Sequence, residues 1–167
     1  ELSKSSHSSS LPKQYQLLNG KAVIEHTLER LLSIEPTRIV VAVHPQDAHW
    51  RALALTDDPR VLFVEGGSER SNSVLRALLA LEHLAEPDDC VLVHDVARPC
   101  VRPEDVRRLI ALTGEYPGGG LLAATLTDTV KRVGRDGVTI KTENRDELWA
   151  AMTPQLCRYG LLVSALK

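Results

Sequence analysis

Short apolar runs alternate along this chain with longer segments of helical periodicity, and this alternation constrains the fold more than any other feature. The runs are continuously apolar, which is typical of strands covered on both faces. They lie at 38–43, 61–64, 90–93 and 121–125. The helical segments lie at 22–32, 46–55, 68–84 and 103–113. Because strands that alternate with helices form βαβ units, we expect an α/β fold with a mostly parallel sheet and helices on both faces.

The pattern changes after the fourth strand. Two β-branched segments, 130–133 and 138–141, flank the sequence Gly134-Arg135-Asp136-Gly137, which predicts a β-hairpin with glycine available for positive φ. A hairpin of this kind is either an arm that binds a partner or an excursion on the surface. A last helix is predicted from Arg158 onward.

The first ten residues contain six serines and one apolar residue. We expect 1–10 to be disordered, a cloning remnant or a mobile loop. Residues 11–167 are predicted to form one domain that is incomplete at both ends. The reason is that no strand precedes the first helix, and the last helix is unfinished.

Composition excludes several classes of function. Twenty basic and 22 acidic residues give a net charge of −2, so a broad nucleic-acid surface is not expected. The chain has no apolar run of about 18 residues, so no membrane span is expected. Its three cysteines form no C-x-x-C pair, which favours a reducing cytoplasm. Cys90 begins an apolar run and is expected to be buried.

Ligands of open α/β sheets bind at the carboxyl ends of the strands. Asp95 follows the strand at 90–93, where a carboxylate either holds Mg²⁺ against a polyphosphate or caps a turn. Arg98 either neutralises phosphate charge or forms a salt bridge to Asp95 or to a helix acid.

Two further segments carry polar groups that suit an anionic ligand. Gly66-Gly67 precedes a helix for which Ser68 is the predicted cap. The two glycines either let a base or phosphate approach the backbone or simply form a tight turn. Arg70 and Ser73 lie near the start of the same helix. Lys13, next to the serine-rich stretch, either reaches a triphosphate or is an ordinary exposed lysine.

Five segments occur in an order that resembles the 2-C-methyl-D-erythritol 4-phosphate cytidylyltransferase family. They are PKQY at 12–15, GGSERSNSV at 66–74, VLVHDVARP at 91–99, DTVKR at 128–132 and NRDELWAAMTPQ at 144–155. The resemblance runs from about Leu11 to the end. It implies a three-layer, Rossmann-like nucleotidyltransferase with a projecting β-hairpin arm at about 128–147. It also implies transfer of CMP from CTP to methylerythritol phosphate, with Mg²⁺, in isoprenoid precursor synthesis.

The resemblance also implies roles for individual residues. Lys13 matches the lysine that stabilises the transition state, and Gly67, Ser68 and Ser73 match positions that recognise the cytosine of CTP. Asp95 matches the Mg²⁺ ligand at the CTP site, with Arg98 beside it. The residues that match contacts to the acceptor are Thr129, Arg145 and Thr153. The arm implies a homodimer in which Arg145, also a catalytic candidate, reaches the partner subunit's site.

The sequence departs from the family at both ends. The family's first strand and its P-A-A-G-x-G-x-R-M loop are not matched before Pro12, and its later T-D-E and G-x-x-x-N-x-K-V-T segments are not matched either. Three alternatives therefore stay open. The chain could act on another polyol phosphate such as ribitol 5-phosphate, precede a cyclodiphosphate synthase domain, or be an inactive fragment that binds nucleotide and dimerises.

Overall fold

A computed structural model describes residues 11–113, 116 and 118–167. The chain divides into two compact units. The first contains the residues up to Leu81 together with Val96–Pro103, and the second contains Glu82–Asp95 and Glu104–Lys167. The serine-rich stretch at 1–10 lies outside the described residues, so the expectation for it stays a prediction. The single domain over 11–167 also stays a prediction.

The first unit contains one parallel strand pair and two α-helices. Its elements are the 3₁₀ helix η1 (Lys13–Tyr15), β1 (Leu17–Leu18), β2 (Lys21–Ala22), α1 (Val23–Leu32), β3 (Ile39–Val43), η2 (His49–Ala52), η3 (Ala54–Asp57), β4 (Val61–Glu65) and α2 (Arg70–Leu79). Strands β3 and β4 run parallel, in register from Ile39↔Val61 to Val43↔Glu65. The two strands end together, which places the segments that follow them at one edge.

Helix α1 forms because its apolar residues recur at helical spacing and its first turn is capped. Ile24, Thr27 and Leu28 are almost fully buried. The carboxylate of Glu25 accepts the Ala22 N–H at 3.1 Å, which satisfies a donor that the helix leaves unpaired. The Thr27 hydroxyl donates to the Val96 carbonyl at 2.7 Å. This bond ties the segment after Asp95 to α1 within the first unit.

Two predictions in the first unit are wrong in detail. The segment predicted as a helix at 46–55 forms η2 and η3 instead, because the Asp47 carboxylate accepts the His49 N–H and starts a separate short turn. Helix α2 begins at Arg70 with Glu69 as its N-cap, so Ser68 is not the cap. It ends at Leu79 because the Leu81 N–H bonds the Leu78 carbonyl, which tightens the last turn.

The second unit is built on a three-stranded sheet. Its elements are β5 (Cys90–Val93), α3 (Pro103–Thr113, of which Pro103 belongs to the first unit), β6 (Gly120–Thr125), β7 (Lys131–Val133), β8 (Thr139–Thr142), η4 (Arg145–Glu147), β9 (Trp149–Arg158) and α4 (Tyr159–Leu166). Strand β9 lies between β5 and β6 and runs antiparallel to both. Strands β5 and β6 therefore run in the same direction, as predicted, but they are not adjacent. The prediction missed β9, so both pairings in this sheet are antiparallel, whereas a mostly parallel sheet was expected.

The predicted hairpin is present as β7 and β8, paired antiparallel from Lys131↔Thr142 to Val133↔Thr139. Gly137 has φ +79°, and its N–H bonds the Gly134 carbonyl at 3.0 Å to close the turn. All the residues of both strands are exposed.

Two residues of types that are commonly buried are exposed in the second unit. Cys90 is exposed rather than buried, because it begins β5, where the Arg158 guanidinium lies 3.3 Å from its sulfur. Trp149 at the start of β9 is 60% exposed. Within the described residues, no helix combines the length and apolar character needed to cross a membrane.

Candidate active site

The loop after β4 is fixed to the neighbouring strand and to the helix that follows it. The Gly66 N–H donates to the Val43 carbonyl at 2.7 Å, which joins the ends of β4 and β3. The Gly66 carbonyl accepts a bond of 3.0 Å from the Arg76 guanidinium on α2. Gly66 is therefore held on both sides of its backbone.

Gly67 and Ser73, predicted to contact the same base, bond each other. The Gly67 N–H donates to the Ser73 Oγ at 3.0 Å, and that hydroxyl donates to the Glu69 carbonyl at 3.0 Å. A Cβ on Gly67 would lie 2.4 Å from the Cβ of Asn72, so the loop has room only for glycine. Ser68 lies exposed beside them. The structure thus brings these three residues together, and their role in binding cytosine stays a prediction.

A cavity of about 140 Å³ opens at the same ends of β3 and β4, with Val43, His44, Asp47 and Glu65 in its wall. Trp50 and Phe63 also line it, and their rings stack at 4.6 Å between centroids. Trp50 lies in the segment predicted as a helix at 46–55, and Phe63 lies in the strand predicted at 61–64. Their contact is non-local, so no local sequence pattern signals it.

Lys13 is exposed on η1, and two residues later Tyr15 is buried. The Tyr15 hydroxyl donates to Asp47 Oδ2 at 2.7 Å. Burial of the phenol and the neighbouring Asp47 carboxylate raise the Tyr15 pKa well above its usual range, so this hydroxyl stays protonated and remains a donor. Arg98 is exposed in the Val96–Pro103 segment of the same unit.

In the second unit, the structure brings Asp95 and Thr153 together. The β5–β9 register pairs Val93 with Gln155, so continuing it by two residues sets Asp95 opposite Thr153. The Asp95 N–H donates to the Thr153 hydroxyl at 3.4 Å, and Thr153 is only 8% exposed. The Thr153–Pro154 peptide bond is cis. Sequence reasoning could not derive this contact, because it depends on β9.

The residues around Asp95 fit a substrate-assisted Mg²⁺ site rather than a preformed protein cage. Across the described residues, no three His, Cys, Asp or Glu side chains cluster in a way that could hold a metal. Mg²⁺ is commonly held by one or two carboxylates together with substrate phosphates and water. The single carboxylate of Asp95 is enough for that arrangement.

The segment before β9 is bonded to the segment that carries Thr129. The Arg145 guanidinium donates to the Thr127 carbonyl, two residues before Thr129. Thr129 and Arg145 are both exposed. The Asn144 side chain accepts the Asp146 N–H at 3.3 Å and starts η4, so it fixes the backbone next to Arg145.

A carboxylate at the base of the hairpin binds two cations. Glu143 accepts bonds from the Arg132 guanidinium and, at 3.0 Å, from the Lys141 ammonium. Hydrogen bonds from Lys141 and Arg132 lower the Glu143 pKa. Arg132 and Lys141 are direct cross-strand partners, so the carboxylate offsets the repulsion between them.

A sequence model of one family, described as IspD, 2-C-methyl-D-erythritol 4-phosphate cytidylyltransferase, matches residues 5–167. The chain belongs to this family. A cytidylyltransferase of that description from Hahella chejuensis is 47% identical over 157 residues, which are 93% of this chain and 65% of the relative. One from Vibrio vulnificus strain YJ016 is 43% identical over 156 residues, covering 93% and 66%.

Solved structures agree with this membership. The crystal structure of a 4-diphosphocytidyl-2C-methyl-D-erythritol synthase matches with a TM-score of 0.83 at 38% identity, covering 92% of this chain and 74% of that one. The predicted α/β nucleotidyltransferase fold is therefore confirmed. The chain spans just under two thirds of the length of the two relatives above.

Proposed function

We propose that the protein transfers CMP from CTP to 2-C-methyl-D-erythritol 4-phosphate. The products are 4-diphosphocytidyl-2-C-methyl-D-erythritol and pyrophosphate, and the reaction serves isoprenoid precursor synthesis. The observation that carries the proposal is the bond between Asp95 and Thr153. It joins two separate motifs, HDVARP and TPQ, whose residues were assigned to the metal and to the acceptor.

The proposed reaction is an in-line displacement at the α-phosphorus of CTP. An oxygen of the acceptor phosphate forms a bond to this phosphorus, and the bond to the oxygen that bridges the α- and β-phosphates breaks. Negative charge grows on the phosphoryl oxygens and on the departing pyrophosphate. The protein's task is therefore to position two anions and to stabilise this charge with cations.

Base selection is assigned to residues 66–73, which are the loop after β4 and the first turn of α2 and are here called the Gly66–Ser73 loop. Its backbone is fixed by Val43, Arg76 and Ser73 before any ligand binds, so little ordering is left for binding to impose. Backbone amides, carbonyls and a hydroxyl suit the O2, N3 and amino group of cytosine. A larger purine would not fit the same slot.

Asp95 is the proposed protein ligand for Mg²⁺, together with the CTP phosphates. The ion, when bound, neutralises charge on the triphosphate and on the leaving group. Thr153 holds the Asp95 backbone through its hydroxyl and fixes the starting point of the carboxylate. Lys13 supplies a further positive charge to the transferred phosphoryl group, and Arg98 is assigned to phosphate binding.

Acceptor binding is assigned to Thr129, Arg145 and Thr153. A guanidinium binds a phosphate with two parallel hydrogen bonds, which fixes both its place and its orientation. The bond from Arg145 to the Thr127 carbonyl attaches the arginine to the segment that leads to Thr129.

The hairpin is the proposed dimer contact. Its apolar side chains Val133, Val138 and Ile140 are each more than half exposed, and a second copy of the chain would cover them. In such a homodimer, Arg145 serves the partner subunit's acceptor. Sedimentation equilibrium at micromolar concentration should give twice the chain mass, and Ile140→Lys should give the monomer. A monomeric parent protein would contradict the dimer.

We place the protein in the cytoplasm, which its three free cysteines support.

The test is pyrophosphate release from CTP, Mg²⁺ and methylerythritol phosphate. It compares this chain with the product of the complete open reading frame that encodes it. We expect release by the latter, reduced about a hundredfold or more in Asp95→Asn. Asp57→Asn, an exposed aspartate in η3, is the control and should leave the rate unchanged.

Faster release with ribitol 5-phosphate would overturn the proposed acceptor. Tight CTP binding without release by either protein would overturn catalysis and favour a nucleotide-binding role.

A further inference from the structure

We propose that Tyr15 and Asp47 are positioning residues that hold Lys13 in place for phosphoryl transfer. The inference rests on the proposed function, in which the Lys13 ammonium stabilises charge on the transferred group. The observation behind it is the hydrogen bond of 2.7 Å from the Tyr15 hydroxyl to Asp47 Oδ2.

Lys13 lies on η1, a helix that needs contacts with the rest of the unit to keep its position. Helix η1 has three residues, and so short a helix is not stable alone. Its backbone bonds are local: the Tyr15 N–H bonds the Pro12 carbonyl at 2.9 Å, and the Gln16 N–H bonds the Lys13 carbonyl at 3.3 Å. These bonds set the shape of the turn, but they do not determine where it lies on the unit.

Tyr15 attaches this turn to the core. It is 5% exposed and belongs to the same buried cluster as Ile24, Leu28 and Val41. Its hydroxyl reaches Asp47, which is 32 residues away in the sequence. The ring fixes the depth of the turn in the core, and the hydroxyl fixes its rotation about the ring axis.

Asp47 is a fixed anchor because both of its carboxylate oxygens are bonded. Oδ2 accepts the Tyr15 hydroxyl, and Oδ1 accepts the His49 N–H at 2.9 Å. The Asp47 N–H also donates to the His44 carbonyl at 2.8 Å, directly after β3. A hydrogen bond to a carboxylate is stronger than one between neutral groups. The pair therefore connects η1 to the end of β3.

The arrangement predicts an effect on turnover rather than on CTP binding. Lys13 is two residues from Tyr15 on one 3₁₀ turn, so a shift of Tyr15 displaces the Lys13 backbone directly. Misplacing a catalytic group by about 1 Å can cost on the order of a hundredfold in rate. Base recognition, assigned to the Gly66–Ser73 loop, should be spared.

The test uses the product of the complete open reading frame and measures kcat and KM for CTP. Tyr15→Phe keeps the buried ring and removes only the hydroxyl. We expect kcat to fall about tenfold or more, with KM for CTP within about twofold, which a general loss of folded protein would not produce. Tyr116→Phe, on an exposed tyrosine, is the matched control and should leave both constants unchanged.

Asp47 supplies the second half of the experiment. Asp47→Asn keeps an acceptor for the Tyr15 hydroxyl and should retain most of kcat. Asp47→Ala removes the bond to Tyr15 and also the bond to the His49 N–H, so it should lose at least as much kcat as Tyr15→Phe. The double variant Tyr15→Phe/Asp47→Ala should be no slower than Asp47→Ala alone, because that single variant already lacks the Tyr15–Asp47 bond. Multiplied losses in the double variant would overturn the proposed pairing.

Lys13→Ala separates this inference from the proposed function. A large loss in Lys13→Ala with unchanged kcat in Tyr15→Phe would overturn the positioning role and leave the proposed function intact. Unchanged kcat in Lys13→Ala would overturn both the assigned role of Lys13 and the positioning that depends on it. Circular dichroism of Tyr15→Phe should match that of the parent protein.

Discussion

Gly67 and Gly137 both lie in turns that carry predicted functions, but the chain needs glycine at the two places for different reasons. Gly67 lies outside the left-handed region, yet a Cβ there would meet the Cβ of Asn72 at 2.4 Å. Gly137 has φ +79°, and a Cβ there would meet nothing within 4 Å. The first glycine is required by space and the second by backbone conformation.

The two turns also differ in their surroundings, because the first is packed and the second is exposed. The Gly66–Ser73 loop is held against its own unit, because the Gly66 and Gly67 N–H groups donate to Val43 and Ser73 and the Arg76 guanidinium donates to Gly66. The hairpin is exposed, and the bonds at its base join Glu143 to Arg132 and Lys141. A packed loop should resist any added atom, whereas an exposed hairpin should respond to backbone strain, pH and salt.

The largest effect is expected from Gly67→Ala. The collision forces the loop outward in the free protein, and CTP must then restore it against a strain of about 1–3 kcal/mol. We expect calorimetry to show about 5- to 150-fold weaker CTP binding. Gly67→Asn should be no better than Gly67→Ala, because both side chains place a Cβ at the same point.

Gly118→Ala is the control for this experiment. A Cβ on Gly118 meets nothing within 4 Å, and its φ is not in the left-handed region. The affinity of the Gly118→Ala variant for CTP should equal that of the parent protein. Unchanged binding by Gly67→Ala would show that the loop has room that the structure does not indicate.

Gly137→Ala should have a smaller effect, confined to the hairpin. A residue with a Cβ in the left-handed region costs about 1–2 kcal/mol, and asparagine tolerates that region better than alanine. The Gly134 amide, which bonds the Val138 carbonyl at 2.8 Å, should exchange its hydrogen about 5- to 30-fold faster.

Gly137→Asn is the variant that separates the two kinds of glycine. At this position it should recover much of the protection that alanine loses. Equal losses from alanine and asparagine would remove the proposed distinction between Gly67 and Gly137.

The sequence predicted the elements whose signal is local. Strand β5 and helix α3 have the predicted bounds, because a continuous apolar run and a proline at the first helical position do not depend on neighbours. The turn at Gly137 was predicted for the same reason. The glycine loop was also predicted, although the collision that makes it necessary involves Asn72 on the next helix.

Strand β9 was not predictable because its own sequence argues against it. Pro154 lies inside it, and proline removes a donor from a central strand. The structure accommodates Pro154 where pairing with β6 shifts between Leu121 and Ala123. The register of β9 also creates the Asp95–Thr153 contact, so that part of the site needs the fold before it can be found. The bond between Tyr15 and Asp47 is non-local in the same sense.

The smallest effect is expected from Glu143→Gln. The Glu143 pKa is lowered in the folded hairpin by bonds from Lys141 and Arg132. A carboxyl group whose pKa is lowered by folding stabilises the fold at pH values above its pKa in the unfolded chain, near 4.5. This stabilisation is lost as the pH falls through the lower pKa of the folded state. The parent hairpin should therefore weaken on acidification, whereas the Glu143→Gln hairpin should start weaker and change less.

The measurement is the pH dependence of the amide chemical shifts of residues 131–142. Glu147→Gln, an exposed glutamate in η4, should behave like the parent protein. High salt should reduce the difference between parent and Glu143→Gln, because it screens exposed charges. An identical pH response in both proteins would mean that Glu143 does not hold the hairpin. The Arg132–Lys141 pair would then be tolerated through solvation of the two cations alone.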